Sequence, residues 1–188
     1  MKFLSLILSP LILLGAGCAI TTPSSVVDVT AVETSTPTPI LTTSYVMSSD
    51  LLMFSAPSDW SVVQRDGAGG SAIEIESPLG VLMVISVEIA ETFEGTTIAY
   101  QDWLASDFDF SDAGSTTIVG GYRFDVHEVV TDDQNGRWVL TSEIQGEDRR
   151  YFVDIWLPLD AQTSQQVILD SLKFNPNVEE RSTAQVIR

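Results

Sequence analysis

The side chains able to do chemistry in this chain are few, and their spacing limits what they can do. His127 is the single histidine and Cys18 the single cysteine. One imidazole without a thiolate partner cannot build the ligand set of a zinc site. As a general base, His127 would need a nucleophile within hydrogen-bond reach, and no G-x-S-x-G elbow supplies a designated serine. Alternation places His127 on one strand face with Arg123 and Asp125, where it is expected to pair with a neighbour. Asp107, Asp109 and Asp112 fall in DFDFSD; Asp132, Asp133 and Asn135 fall in DDQNG. A hard cation needs several oxygens around one ion, and neither run forms a D-x-[DN]-x-[DN]-G loop. The first reads as an acidic helix end, the second as turn chemistry. Gly67, Gly69 and Gly70 in DGAGG lack the Lys-Ser/Thr of a phosphate loop and the spacing of a dinucleotide fingerprint, so they read as a flexible loop. No catalytic, cofactor-binding or metal residue is assigned, and the expectation is a protein that is not an enzyme.

Charge narrows the partners. The 188 residues include 9 basic and 26 acidic side chains. That balance argues against nucleic acid, whose phosphates are met by clustered Lys and Arg. It argues equally against direct adhesion to anionic lipid. Without a second cysteine no disulfide framework exists, so stability must come from a core, which one domain of this length can supply.

The N-terminus carries an address. Lys2 is followed by a nearly unbroken apolar run over residues 3–14, too short for a membrane span of roughly 20 residues and suited to a secretory signal. Gly15, Ala16 and Gly17 then lead into Cys18. This stretch resembles a bacterial lipoprotein signal peptide with its lipobox, although Gly15 stands where leucine is usual. The resemblance implies cleavage after residue 17 and a diacylglycerol thioether on Cys18. Removing residues 1–17 leaves 8 basic against 26 acidic side chains, a net of −18. Two or more acyl chains, at about 0.8 kcal/mol per buried CH₂, make a durable anchor. Residues 18–43 are then the lipidated cysteine and a Thr/Ser/Pro-rich tether. Its TPTP run, with Pro37 and Pro39, favours extended backbone. The domain is expected at a cell membrane or outer envelope, facing away from the cytoplasm.

Residues 44–175 read as the folded domain, and 176–188 as a polar, frayed tail. Period-two alternation marks strands at Leu51–Ala56, Trp60–Gln64, Ser71–Ser77 and Val81–Ile89. A helix follows, capped by Thr96 or Thr97, with Tyr100, Trp103 and Leu104 on one face. After a strand at Thr116–Val119 come three strands in a meander, joined by turns at Asp132–Gly136 and Gly146–Asp148. A last helix, with Asp160 as its cap, presents Val167, Ile168, Leu169 and Leu172. Trp60 and Trp138 are expected in the core and Trp103 against the sheet. Phe152 and Trp156 point away from Tyr151, Val153 and Ile155. Either the last helix covers them, or they form an exposed contact surface. The order predicts an α+β fold, an antiparallel β-sheet with helices packed against it.

Four stretches carry a further resemblance: FSAPSDW (Phe54–Trp60), GYRFDVHEV (Gly121–Val129), RRYFVDIWLP (Arg149–Pro158) and ILDSLKF (Ile168–Phe174). Together they resemble the PsbP/Mog1-like superfamily, which includes small bacterial lipoproteins. The resemblance implies an α/β/α sandwich. Known members serve as photosystem accessory subunits or bind a small GTPase, but the quoted motifs are structural and do not encode those surfaces. The functional expectation is a membrane-tethered, non-catalytic accessory or protein-binding lipoprotein with an unidentified envelope protein as partner. A carrier of small apolar ligands and a hydrolase-type enzyme are the alternatives.

Overall fold

The computed structural model describes residues 40–107, 109–110, 114–130, 136–160 and 163–187. The signal segment, Cys18 and the tether up to residue 39 lie outside the described residues. So do Asp112, Asp132, Asp133 and Asn135, and the side chains of Asp107 and Asp109. The elements run β1 (Thr42–Val46), β2 (Leu52–Pro57), β3 (Ser61–Asp66), β4 (Gly70–Glu76), β5 (Leu82–Ile89), a 3-10 turn (Ala90–Phe93), α1 (Thr97–Asp107), β6 (Asp109–Phe110), β7 (Ser115–Val119), β8 (Tyr122–Val130), β9 (Arg137–Gln145), β10 (Arg150–Pro158), α2 (Thr163–Ser171), β11 (Lys173–Phe174), α3 (Val178–Arg181) and β12 (Gln185–Val186).

These strands form two sheets rather than the single one expected. The larger is ordered β3-β4-β5-β10-β9-β8-β6, with β7 also on β8; the smaller is ordered β11-β2-β1-β12. Every pairing in the larger sheet is antiparallel. In the smaller sheet, β12 lies parallel to β1. The class is therefore α+β, built mainly of antiparallel sheet.

Alternation decides where the core sits. Ile73 and Ile75 of β4, Met83, Ile85 and Val87 of β5, and Val153, Ile155 and Leu157 of β10 turn one way and are buried. They meet Leu52, Phe54 and Ala56 of β2, together with Ile168 and Leu172 from α2 and its end. Trp60 and Trp138 pack against this cluster while half-buried. The β2 edge is managed locally. Strand β11 pairs only with Leu52 and Met53. Beyond it, the Ser55 N–H donates to Ser171 Oγ at 2.8 Å, and that hydroxyl lies 3.2 Å from the Ser55 carbonyl. A side chain thus satisfies backbone groups that a longer strand would have paired.

Three boundary expectations are corrected. Residues 42–43, assigned to the tether, belong to β1, because Thr42 and Thr43 pair with Pro57 and Ala56. The tail is folded. Asn177 and Glu180 form a capping box on α3, β12 pairs with β1, and Ile187 is 4% exposed. Polar composition concealed one buried isoleucine and a reciprocal cap, which suffice to dock the segment. Gly70 is no part of a loop kept open for flexibility. It begins β4 opposite Glu88, and a Cβ there would lie 2.2 Å from the Val87 carbonyl oxygen. Only glycine lets the strands approach that closely.

Candidate functional site

The second face of the larger sheet holds the remaining chemistry. Across β8, β9, β10 and β5 the pairing sets Asp125 beside Thr141, Thr141 beside Asp154 and Asp154 beside Ser86. One step along, Glu143 sits beside Phe152 and Phe152 beside Glu88. This face carries acids and hydroxyls where the inner face carries aliphatic and aromatic side chains.

Helix α1 roofs part of it. The Ala99 N–H donates to Thr96 Oγ1 at 3.2 Å, so Thr96 is the cap, one of the two residues expected. The helix start is tied to the sheet through Arg150, which donates to Glu143 at 2.9 Å and to the Gly95 carbonyl at 3.0 Å. Tyr100 and Leu104 turn inward as their spacing predicts, and they share a small cluster with Ala90 and Phe152. The Tyr100 and Phe152 rings stack at 4.6 Å, and Phe93 meets Tyr100 edge-on at 5.2 Å. Trp103 departs from expectation: it is 44% exposed, and its ring meets Phe93 and Tyr100.

The expected cover of Phe152 and Trp156 is also corrected. Helix α2 packs on β2, in the other sheet. It is α1 and the 3-10 turn that enclose Phe152, which is 1% exposed. Phe152 cannot belong to an exposed contact surface, while Trp156 is half-buried at the edge of the cluster.

Under the roof lies Asp154, 2% exposed. Tyr100 donates its hydroxyl to one carboxylate oxygen, and the Trp156 indole N–H donates to the other at 2.5 Å; Ser86 is a third partner. Burial pushes this carboxyl above its usual range, and the three partners pull the other way. Burial, followed by the negative charge of Asp154, raises the Tyr100 hydroxyl strongly and half-buried Glu88 less. Three partners on a buried carboxylate are what desolvation demands. Sequence reading passed over Asp154. The available signal was a lone acid inside FVDIW, in phase with Phe152 and Trp156.

Beside the roof the face stays open as a groove of about 380 Å³. Its α1 wall is Thr97, Tyr100 and Gln101; Phe152 and Thr141 lie deep, and Arg123, Asp125 and Glu143 stand around it. His127 is on the same face as Arg123 and Asp125, as expected, and its Nε2 lies 3.4 Å from Thr141 Oγ1. The contact is a long hydrogen bond, and the alcohol is a buried secondary one. Among the described residues no three His, Cys, Asp or Glu side chains gather to hold a metal ion. No helix among them is long and apolar enough to cross a membrane.

No family model matches the chain, and no curated protein does. Among solved structures it is similar to a protein from Bacteroides thetaiotaomicron VPI-5482, at 12% identity and a TM-score of 0.45, over 72% of this chain and 49% of that one. The chain thus spans about half the length of that neighbour.

Proposed function

We propose that this protein is a lipid-anchored, non-catalytic binding domain held outside the cytoplasm, and that the groove beside α1 is where it binds its partner. The observation that carries the binding reading is the groove itself. Charged and hydroxyl side chains stand around one concavity, on a face whose other half is sealed by Tyr100, Phe152 and Leu104. A few convergent polar groups at a concave site are the usual form of a recognition site. The anchoring reading rests on Gly15-Ala16-Gly17-Cys18 and the hydroxyl-rich tether behind it. The tether gives reach, holding the groove away from the headgroups. A PsbP/Mog1-like sandwich is part of the same proposal. It is supported by the order of hairpins, α1, the β8–β10 meander and α2.

Two variants test it. Cys18→Ser should move the protein from the membrane fraction to the soluble one; retention in the membrane contradicts the anchor. Gln101→Trp fills the groove from an exposed helix position. Affinity capture from the protein's own membranes should recover a partner with the wild type and lose it with Gln101→Trp. Equal recovery from both rejects the groove as the binding site.

A further inference from the structure

The charges around the groove are unequally occupied. Glu143 is engaged by Arg150 at 2.9 Å and by the Thr97 hydroxyl at 3.5 Å. Arg123 and Asp125 are not held in this way. They are two residues apart on one face of β8, and their nearest charged atoms lie 3.9 Å apart, beyond hydrogen-bond range. Among the described residues neither side chain makes a hydrogen bond, and both are substantially exposed. A guanidinium and a carboxylate, joined only as a long, exposed ion pair, therefore stand side by side at the rim of one cavity.

On the reading of this groove as the binding site, we infer that it takes the zwitterionic head of a free α-amino acid. In such a head the ammonium and carboxylate share one carbon, so their nitrogen and oxygen atoms sit about 3 Å apart. The two protein groups stand 3.9 Å apart, close enough for one such head to bridge both. The ligand carboxylate meets the planar donor fork of Arg123, and its ammonium meets Asp125. Net charge separates this ligand from simpler ones. A lone anion must approach a strongly acidic protein against its field. A lone cation is attracted but leaves Arg123 unmatched and adds a like charge beside it. A zwitterion carries no net charge and matches both groups. Tyr100 and Phe152 border the cavity but are each 1% exposed, so the ligand side chain stays largely in the open part of the groove, and Gln101 stands on the α1 wall beside the head.

The test uses the full lipidated chain in detergent micelles and three probes of one shape: L-phenylalanine, 3-phenylpropionate without the ammonium, and phenethylamine without the carboxylate. Titration calorimetry should show L-phenylalanine binding at least about tenfold more tightly than either one-charge analogue, roughly one charged contact's worth. Arg123→Gln should weaken L-phenylalanine to the phenethylamine level, and Asp125→Asn to the 3-phenylpropionate level. Both positions are exposed, and circular dichroism confirms that the variants are folded. The inference is overturned if the three probes bind within about twofold of one another, or if L-phenylalanine gives no heat up to about 10 mM, beyond which affinity would be marginal. Gln101→Trp separates this outcome from the broader reading. If it abolishes partner capture while no amino acid binds, the groove is the site and its ligand class is wrong. If L-phenylalanine binds and capture persists in Gln101→Trp, the ligand class stands and the partner site lies elsewhere.

Discussion

The two faces of the larger sheet come from the same strands, yet they are held by different means. On the inner face, Ile73, Ile85, Val153 and Ile155 press against a second sheet, with Phe54 among them. On the outer face, Phe152 and Asp154 are covered by one helix and one turn. The inner contact is clamped by strand ladders on both sides. The outer one depends on a helix held by its cap, an arginine and a buried tyrosine. The groove leaves the outer face less completely sealed than the core. The lesson is that residues one step apart on β10 serve different ends: Val153 and Ile155 stabilise, while Phe152 and Asp154 position α1.

Truncating one ring at each face, Phe54 of β2 packed against the inner face and Phe152 of the outer face itself, gives the largest effect and tests that contrast. Phe54→Ala and Phe152→Ala both delete a fully buried ring, a change that costs about 3–5 kcal/mol depending on how far the site collapses. The clamped inner site should fall at the upper end. The outer site should fall at the lower end, because α1 is free to settle into the space. Urea denaturation measures both, and hydrogen exchange should show α1 amides opening selectively in Phe152→Ala. Equal losses, with no selective opening of α1, would erase the distinction between the faces.

Much of this was legible in the sequence, for a physical reason. Alternation is a strong signal wherever one face is dry, so β2, β4, β5 and the β8–β10 meander stand close to their expected bounds. Their pairing across sheets is not a local property. Nothing near Thr42 marks it as a strand rather than a tether, since its partner Pro57 is supplied by β2. Ile187 is one apolar residue in a polar tail, and it is buried through the pairing of β12 with β1. The groove was harder still to read. Gln101, Thr141 and Arg123 lie on three separate elements, and no spacing rule connects them. Sequence alone could name the face of His127, Arg123 and Asp125, but not the helix that makes a cavity of it.

A smaller effect probes the bond that seats the roof. Tyr100→Phe keeps the ring stack with Phe152 but removes the hydroxyl donated to Asp154. Loss of one donor to a buried carboxylate should cost about 1–3 kcal/mol, read as a lower urea midpoint. The contrast predicts that L-phenylalanine titration changes as well, since Tyr100 lines the groove. If both midpoint and titration match the wild type, this bond does not seat α1.

The smallest expected effect lies in the pH dependence, and it separates the faces by sign. Asp154 and Glu88 on the outer face are held above their ordinary range, chiefly by burial. A carboxyl raised in this way binds its proton more tightly folded than unfolded. Its contribution is complete below the unfolded value, about 4, and is lost as pH climbs through the folded value. Asp66, Glu74, Asp148 and Glu180, at the surface with hydrogen-bonding partners, are lowered instead. What they contribute is present above about 4 and is lost as pH falls through their folded values. Stability should therefore peak in mild acid and decline toward neutrality, and the decline should belong to the outer face. Urea midpoints from about pH 4 to about pH 8, a span starting near the unfolded carboxyl value, measure it. In Asp154→Asn one new amide N–H faces a donor, so the variant is weaker at every pH. The informative quantity is its slope, which should be flatter than that of the wild type. A parallel slope would mean that Asp154 stays ionised under its roof across this range, its three partners outweighing its burial.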